Sequence, residues 1–487
     1  MQDQYDVVVV GFGAGGLSAA LSSIETAQEL ESRDLRLAVL ERAPAGERGG
    51  NTRWSTATFR MKDVDTINDD FVESFAPLGE ELQPYVNVLA ERAGETIRWV
   101  ESKGLEFKRG TAVFMTSDDP RIAPVGAGAA IVQTLGGHVE SAARGLFFGP
   151  SNELAVEVDV RYETTAVGLI RDDSGRVAGV TVQTGDGGTE DLRSRTVILA
   201  TGGFQGNAEL MTRHVGYHVP PICLGGRHNR GEGTQMALDA GAKATGQWDE
   251  FHPLPADPRT ASANLLTFAA LMETVPYSVM VNKSGLRFMD EGASSMDYMY
   301  DILGRAVQGQ KDQLAFAVFD QKVLEIPGYA DAISKDKVYE PFEAESIEGL
   351  AELIDVPRDA LRNTIAEFNS ATPPVDGFEP TATDNLATNQ ALQPPKSNWA
   401  RSIDQPPYFA YPVTCAGVFT FGGIGTNERA EVVNGDGEAI SGLYATGEVT
   451  GLYHEDYVGA TSVLRALVFG RIAGEEAVRH AGEHSGV

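Results

Sequence analysis

Apolar residues fall in short unbroken runs toward the two ends of the chain and in a looser pattern between them. Val7 to Val10 form a β-branched run entered through Tyr5 and Asp6 and released into Gly11-Phe12-Gly13-Ala14-Gly15-Gly16, after which Leu17-Ser18-Ala19-Ala20-Leu21 takes helical spacing. A run of this kind bounded by glycine predicts a buried strand, then a turn, then a helix. Leu35 to Leu40 predicts a second buried strand and Arg195 to Leu199 a third, which ends in Ala200-Thr201-Gly202-Gly203. Gly442-Leu443-Tyr444-Ala445-Thr446-Gly447-Glu448 repeats the form near the C-terminus, and Val463 to Ala477 reads as a helix with Thr461 or Ser462 as its N-cap. From Asp249 to Pro407 this rhythm fades. Pro357-Arg358-Asp359-Ala360-Leu361 opens a helix whose Leu361, Ile365 and Phe368 share one face. The Pro/Thr/Asn-rich stretch Ala371 to Gln393 predicts a surface loop, with a disordered linker as the alternative.

The first turn carries chemistry as well as shape. In Gly-x-Gly-x-x-Gly, Gly11 permits the tight turn, Gly13 lets backbone approach a pyrophosphate, and Gly16 lets helix pack on strand. The helix N-terminus, with Ala14 and Gly15, favours the phosphate charge. Glu41, at the end of the second strand and followed by Arg42, is placed to accept from a ribose hydroxyl. The gap from Gly16 to Glu41 is longer than usual, which predicts an extended helix or loop around Glu25 to Asp34. Three phosphate-side turns spread along one chain point to one extended dinucleotide.

Composition narrows the setting. The chain has 487 residues, about three domain lengths, and a formal charge of 39 − 69 = −30. A field of that sign repels nucleic-acid backbones and anionic bilayers, so an anionic substrate needs local basic residues. Cys223 and Cys415 lie far apart, with no metal or iron-sulfur spacing, so no metal site is expected. No stretch approaches the roughly 18 apolar residues of a membrane span. A reduced, cytoplasmic protein is the expectation.

Gly49-Gly50-Asn51-Thr52, Ala200 to Phe204 and Gly442 to Glu448 together resemble the flavoprotein subunits of fumarate reductase and succinate dehydrogenase, along nearly the whole chain. The resemblance implies an α/β fold with an α+β cap: a Rossmann-like FAD-binding domain in two sequence pieces, 1–248 and 408–487, with a capping, substrate-carrying domain at 249–407 inserted between them. It implies FAD held by the turns above and by Ala166, Glu448, Thr461, Ser462 and Val463, the start of the last helix facing the flavin. No histidine stands in Asn51 to Ala57, where succinate dehydrogenases attach FAD, so a non-covalent cofactor is expected.

Fumarate chemistry does not carry over. Arg287-Phe288-Met289-Asp290-Glu291 keeps the family signature, but the catalytic arginine expected four residues later is Ser295. The family's substrate histidine and arginine read as Phe419 and Tyr457, its relay positions as Leu271 and Thr274, and only His252 matches a substrate-contacting position. The segment Pro394 to Asp404, with Arg401, is similar to tricarballylate dehydrogenases. Tyr457-Val458-Gly459 is similar to 3-ketosteroid Δ1-dehydrogenases, in which such a pair polarises a ring ketone and a cap tyrosine is the base.

These departures yield the catalytic candidates Tyr457, His252 and a cap tyrosine, Tyr298 with Tyr300 beside it, and the substrate-binding candidates Arg53, Trp54, Phe419, Arg401 and Arg465. The expected activity is FAD-dependent desaturation of a CH–CH bond beside a carboxylate or ketone of a small organic acid. Proton abstraction would accompany hydride transfer, with dioxygen, a quinone or a partner protein as electron acceptor. A ketosteroid-type desaturase is the alternative enzyme, and an electron-transfer subunit without its own substrate the alternative of another class.

Overall fold

The computed structural model describes residues 4–30, 34–111, 114–117, 121–145, 156–216, 219–260, 269–334, 339–374 and 377–483. Its first sheet has eight strands. At its centre β1 (Tyr5–Val10) runs parallel to β2 (Leu35–Leu40) on one side and to β3 (Thr189–Leu199) on the other, and β4 (Ala439–Ala445) runs parallel to β3. The register sets Val10 opposite both Leu40 and Leu199, and Leu199 opposite Ala445. All four strands therefore end on one edge, and the turns at Gly11, Glu41, Ala200 and Thr446 lie side by side there. Backbone bonds continue across that edge from Gly11 N to the Leu40 carbonyl at 2.8 Å and from Thr446 N to the Leu199 carbonyl at 2.9 Å.

β1 is buried along its whole length, as its apolar run predicts, because helices cover the sheet. The helix α1 (Ala14–Leu30) accounts for the long Gly16–Glu41 interval, of which residues 31–33 lie outside the described residues. It packs on the last helix, here α3 (Ser462–Glu483), at backbone contact: a Cβ on Gly470 would stand 2.5 Å from the Gly15 carbonyl, and one on Gly474 2.3 Å from the Ala19 carbonyl.

A second, six-stranded sheet carries Phe251–Ala256, Tyr408–Thr420, Leu314–Asp320 and Val279–Asn282 in antiparallel order. Ile222–Cys223 and Phe342–Ala344 join it. The strands at 222–223 and 408–420 belong to this second sheet while lying in sequence outside 249–407. Helix Arg358–Ala371 lays Leu361, Ile365 and Phe368 on Val279, Val281, Phe316 and Val318, as its spacing predicts. Each such side chain adds about 1.5–3 kcal/mol when fully buried. The helix α2 (Met296–Gln308) crosses the strand Phe251–Ala256 closely, since a Cβ on Gly304 would stand 2.9 Å from Pro253 Cβ.

Within Ala371 to Gln393, residues 375 and 376 lie outside the described residues; the described part after Ala371 forms no helix or strand but is tied down. Leu386 and Thr388 are buried, and Trp399 Nε1 donates to the carbonyls of Glu379 and Ala382 at 2.9 and 3.1 Å. The following segment is stapled by Lys396, whose buried ammonium donates to the Pro276 and Ser278 carbonyls at 2.7 and 2.9 Å and lies 3.8 Å from Glu291. Burial pushes its pKa down to about 8. No helix among the described residues is long and apolar enough to cross a membrane.

Candidate active site

The common C-terminal edge of β1 to β4 opens into a cavity of about 1670 Å³, its mouth included. Its lining runs from the glycine turn at Gly11 to Tyr457 and His252, so one cavity joins the turns of the sheet edge to an aromatic end. Parallel-sheet proteins place ligands at this edge because the turns, not the strands, carry free backbone groups.

The residues along one wall fit FAD. Gly11 takes φ +117°, and a Cβ there would stand 2.2 Å from the Ala200 carbonyl, so only glycine makes this turn. Gly16 is equally obligatory, its Cβ position lying 2.0 Å from the Gly11 carbonyl. Beside them the Ala14 amide donates to Thr52 Oγ1 at 3.0 Å, while Thr201 Oγ1 is buried with no hydrogen-bond partner. Glu41 accepts from the Ala43 amide at 2.8 Å, and burial raises its pKa, which favours a carboxyl group that a ribose hydroxyl can satisfy. At the far end Asn51 bridges Glu448 Oε2 and the Val418 carbonyl at 3.1 and 2.9 Å. Burial pushes Glu448 up to about 7. Gly11, Gly13, Ala14, Gly15, Glu41, Arg42, Gly50, Asn51, Thr52, Ala166, Ala200, Thr201, Gly202, Glu448, Ser462 and Val463 line the cavity; Gly16, Gly49 and Thr461 stand behind the wall.

The opposite end is aromatic. Tyr457, Phe419, His252, Tyr300 and Phe114 line it, with the His252 ring 4.6 Å from Tyr457, 5.2 Å from Phe419 and 5.5 Å from Tyr300. The Tyr457 hydroxyl accepts hydrogen bonds from the amides of Thr461 and Ser462, both at 3.1 Å. It therefore caps α3 in place of Thr461, whose own hydroxyl donates to the Val458 carbonyl at 2.5 Å. His252 is 4% exposed, and its Nδ1 meets Asp301 Oδ1 at 2.8 Å; Asp301 Oδ2 in turn accepts from Arg305 Nε at 2.8 Å. An acid on Nδ1 fixes the tautomer with Nε2 as the open acceptor. Burial raises Tyr300 well above the ordinary tyrosine pKa, so its hydroxyl stays protonated at neutral pH.

Several expected site residues lie elsewhere. Tyr298 is 43% exposed beside Arg60. Residues two positions apart on a helix point about 200° apart, so α2 turns Tyr300 inward and Tyr298 outward. Arg53 donates to the Gly46 carbonyl at 2.6 Å and stacks 5.6 Å over Trp54, outside the cavity lining. Arg401 sits 4.4 Å over Phe378, in the stapled segment away from the cavity. Arg465 is a buried support, donating to Thr450 Oγ1 at 2.8 Å and lying 5.1 Å over Tyr453. Sequence reasoning missed Asp301, Phe114 and Arg121. Among these only Asp301 leaves a signal, one helical turn ahead of Arg305.

A parallel sheet with converging glycine turns, a buried acid at the end of β2 and an aromatic end holding a buried histidine is the frame that the comparisons identify as an FAD-dependent oxidoreductase. Residues 6–464 match the family model described as FAD binding domain, and the chain belongs to that family. It is 25% identical to a fumarate reductase (cytochrome) of Shewanella frigidimarina, across 98% of this chain and 78% of the relative. It is 30% identical to 4-oxocyclohexanecarboxylate 2-dehydrogenase of Sinomonas cyclohexanicum, across 62% of this chain and 54% of the relative. Its fold matches that of 3-ketosteroid Δ1-dehydrogenase from Sterolibacterium denitrificans with a TM-score of 0.71 at 19% identity, covering 98% of this chain and 100% of the other.

Proposed function

We propose that the protein desaturates a CH–CH bond beside the ketone of a small cyclic compound. The observation that carries this is the Tyr457 hydroxyl. Its lone pairs take two amides at the start of α3, so its own proton is free to be given to a carbonyl oxygen in the aromatic end of the cavity. A phenol polarised by backbone N–H groups is a stronger donor, and donation to the carbonyl acidifies the neighbouring C–H. His252 Nε2 takes that proton, and Asp301, held by Arg305, stabilises the imidazolium that results. Tyr300 orients the carbonyl or relays the proton as a neutral hydroxyl. FAD, bound without a covalent link along the glycine turns, supplies the hydride acceptor. The 4-oxocyclohexanecarboxylate relative supports a cyclic ketone, and the absence of the fumarate arginines in the sequence weighs against a linear dicarboxylate.

The experiment is anaerobic mixing of the FAD-loaded protein with 4-oxocyclohexanecarboxylate, cyclohexanone and succinate. The ketones bleach the flavin absorbance and succinate does not. Bleaching by succinate alone sinks the reading; no bleaching by any of the three leaves the electron-transfer alternative.

A further inference from the structure

Arg121 opens a short strand, Arg121–Pro124, and plays no part in the chemistry above. Its side chain lines the aromatic end of the cavity with Phe114, Asp297 and Tyr300, yet is only 2% exposed. Nη1 is buried without a hydrogen-bond partner, and no acid among the described residues forms an ion pair with this guanidinium. Asp297, in the same wall, instead accepts from Ser117 Oγ at 3.2 Å. Keeping a guanidinium nitrogen buried without a partner is costly, so a cavity that holds one is suited to receive an anion. The planar fork matches a carboxylate. Arg53, Arg401 and Arg465 are committed elsewhere, and in a chain of charge −30 an anionic substrate requires a local cation.

We propose that Arg121 binds a carboxylate of the substrate, distinct from the carbonyl received by Tyr457, which makes the substrate class an oxo-carboxylate. This rests on the reading of Tyr457 above for the carbonyl half, while the carboxylate half stands on Arg121. Phe114 and Tyr300, whose ring centroids are 6.4 Å apart, stand in the same aromatic end, where they would wall the carbon skeleton joining the two groups.

The test uses probes with no ketone to oxidise. Cyclohexanecarboxylate and the neutral cyclohexanecarboxamide are titrated into the FAD-loaded protein by calorimetry. The wild type is expected to bind the carboxylate about 100-fold more tightly than the amide, and Arg121→Met to lose that preference with amide affinity and FAD content unchanged. If Arg121→Met fails to fold, Arg121→Lys decides, with carboxylate binding about tenfold weaker because the fork is lost. Unchanged carboxylate affinity in the variant overturns the proposal. So does a wild type without preference, or loss of FAD from an otherwise folded variant, which would assign Arg121 to the cofactor. If the carboxylate preference holds while 4-oxocyclohexanecarboxylate fails to bleach the flavin, the desaturation reading falls and the Arg121 assignment stands.

Discussion

His252 Nδ1 lies 2.8 Å from Asp301 Oδ1 within the cavity wall, with both side chains buried. The pair fixes the ring's tautomer, leaving Nε2 as the open acceptor. Asp301→Asn offers no charge to a protonated ring and permits the other tautomer. Flavin reduction by a ketone substrate is predicted to slow by about 100-fold, with FAD content retained. An unchanged rate removes His252 from proton transfer.

Gly459 is predicted to be essential for the position of Tyr300. A Cβ at Gly459 would stand 2.6 Å from the Tyr300 hydroxyl. Gly459→Ala should therefore displace the ring and slow flavin reduction by about tenfold or more, whereas Gly459→Ala added to Tyr300→Phe should cost little beyond Tyr300→Phe alone. Additive losses in the double variant would contradict the contact.

Stability should depend on pH through Glu448. Burial raises its folded pKa to about 7, from 4.5 for a free glutamate, so between those values the folded state holds more protons than the unfolded one. Stability from this group is present below about pH 4.5, falls as pH rises toward 7, and stays lost above it. Relative to wild type, Glu448→Gln apoprotein should gain on the order of 2–3 kcal/mol at pH 8 compared with pH 5. Urea unfolding at the two pH values measures it, and an equal difference at both removes the effect.

Lys396 separates architecture from chemistry. Removing its two hydrogen bonds to the Pro276 and Ser278 carbonyls strands buried acceptors, so Lys396→Met should lose about 2–4 kcal/mol of stability. The KM of the surviving enzyme should not move, since the segment lies away from the cavity. A raised KM at unchanged stability would return the segment to the substrate site.

The flavin wall was legible because glycine spacing and apolar runs determine it locally. Gly11 and Gly16 are dictated by backbone contacts under 2.5 Å, and the strand register then brings distant turns together. The substrate end was less legible because it depends on rotation and on folding back. Tyr298 and Tyr300 look alike in sequence until the turn of α2 points one outward. The role of Tyr457 as the cap of α3 depends on a hydroxyl reaching four and five residues ahead. Arg121 sits in a four-residue strand with no periodicity to mark it. The Pro394 to Asp404 segment is tied into the fold through Lys396 and Trp399, contacts that the sequence does not distinguish from a binding role.

The central claim is that Tyr457 polarises a substrate ketone by donating a hydrogen bond to its oxygen. The direct measurement is single-turnover bleaching of the flavin by 4-oxocyclohexanecarboxylate under anaerobic conditions, in wild type and in Tyr457→Phe matched for FAD content. The predicted result is a rate about 100–1,000-fold lower in the variant at saturating ketone, as for loss of one preorganised donor. Equal rates in the two proteins would contradict it.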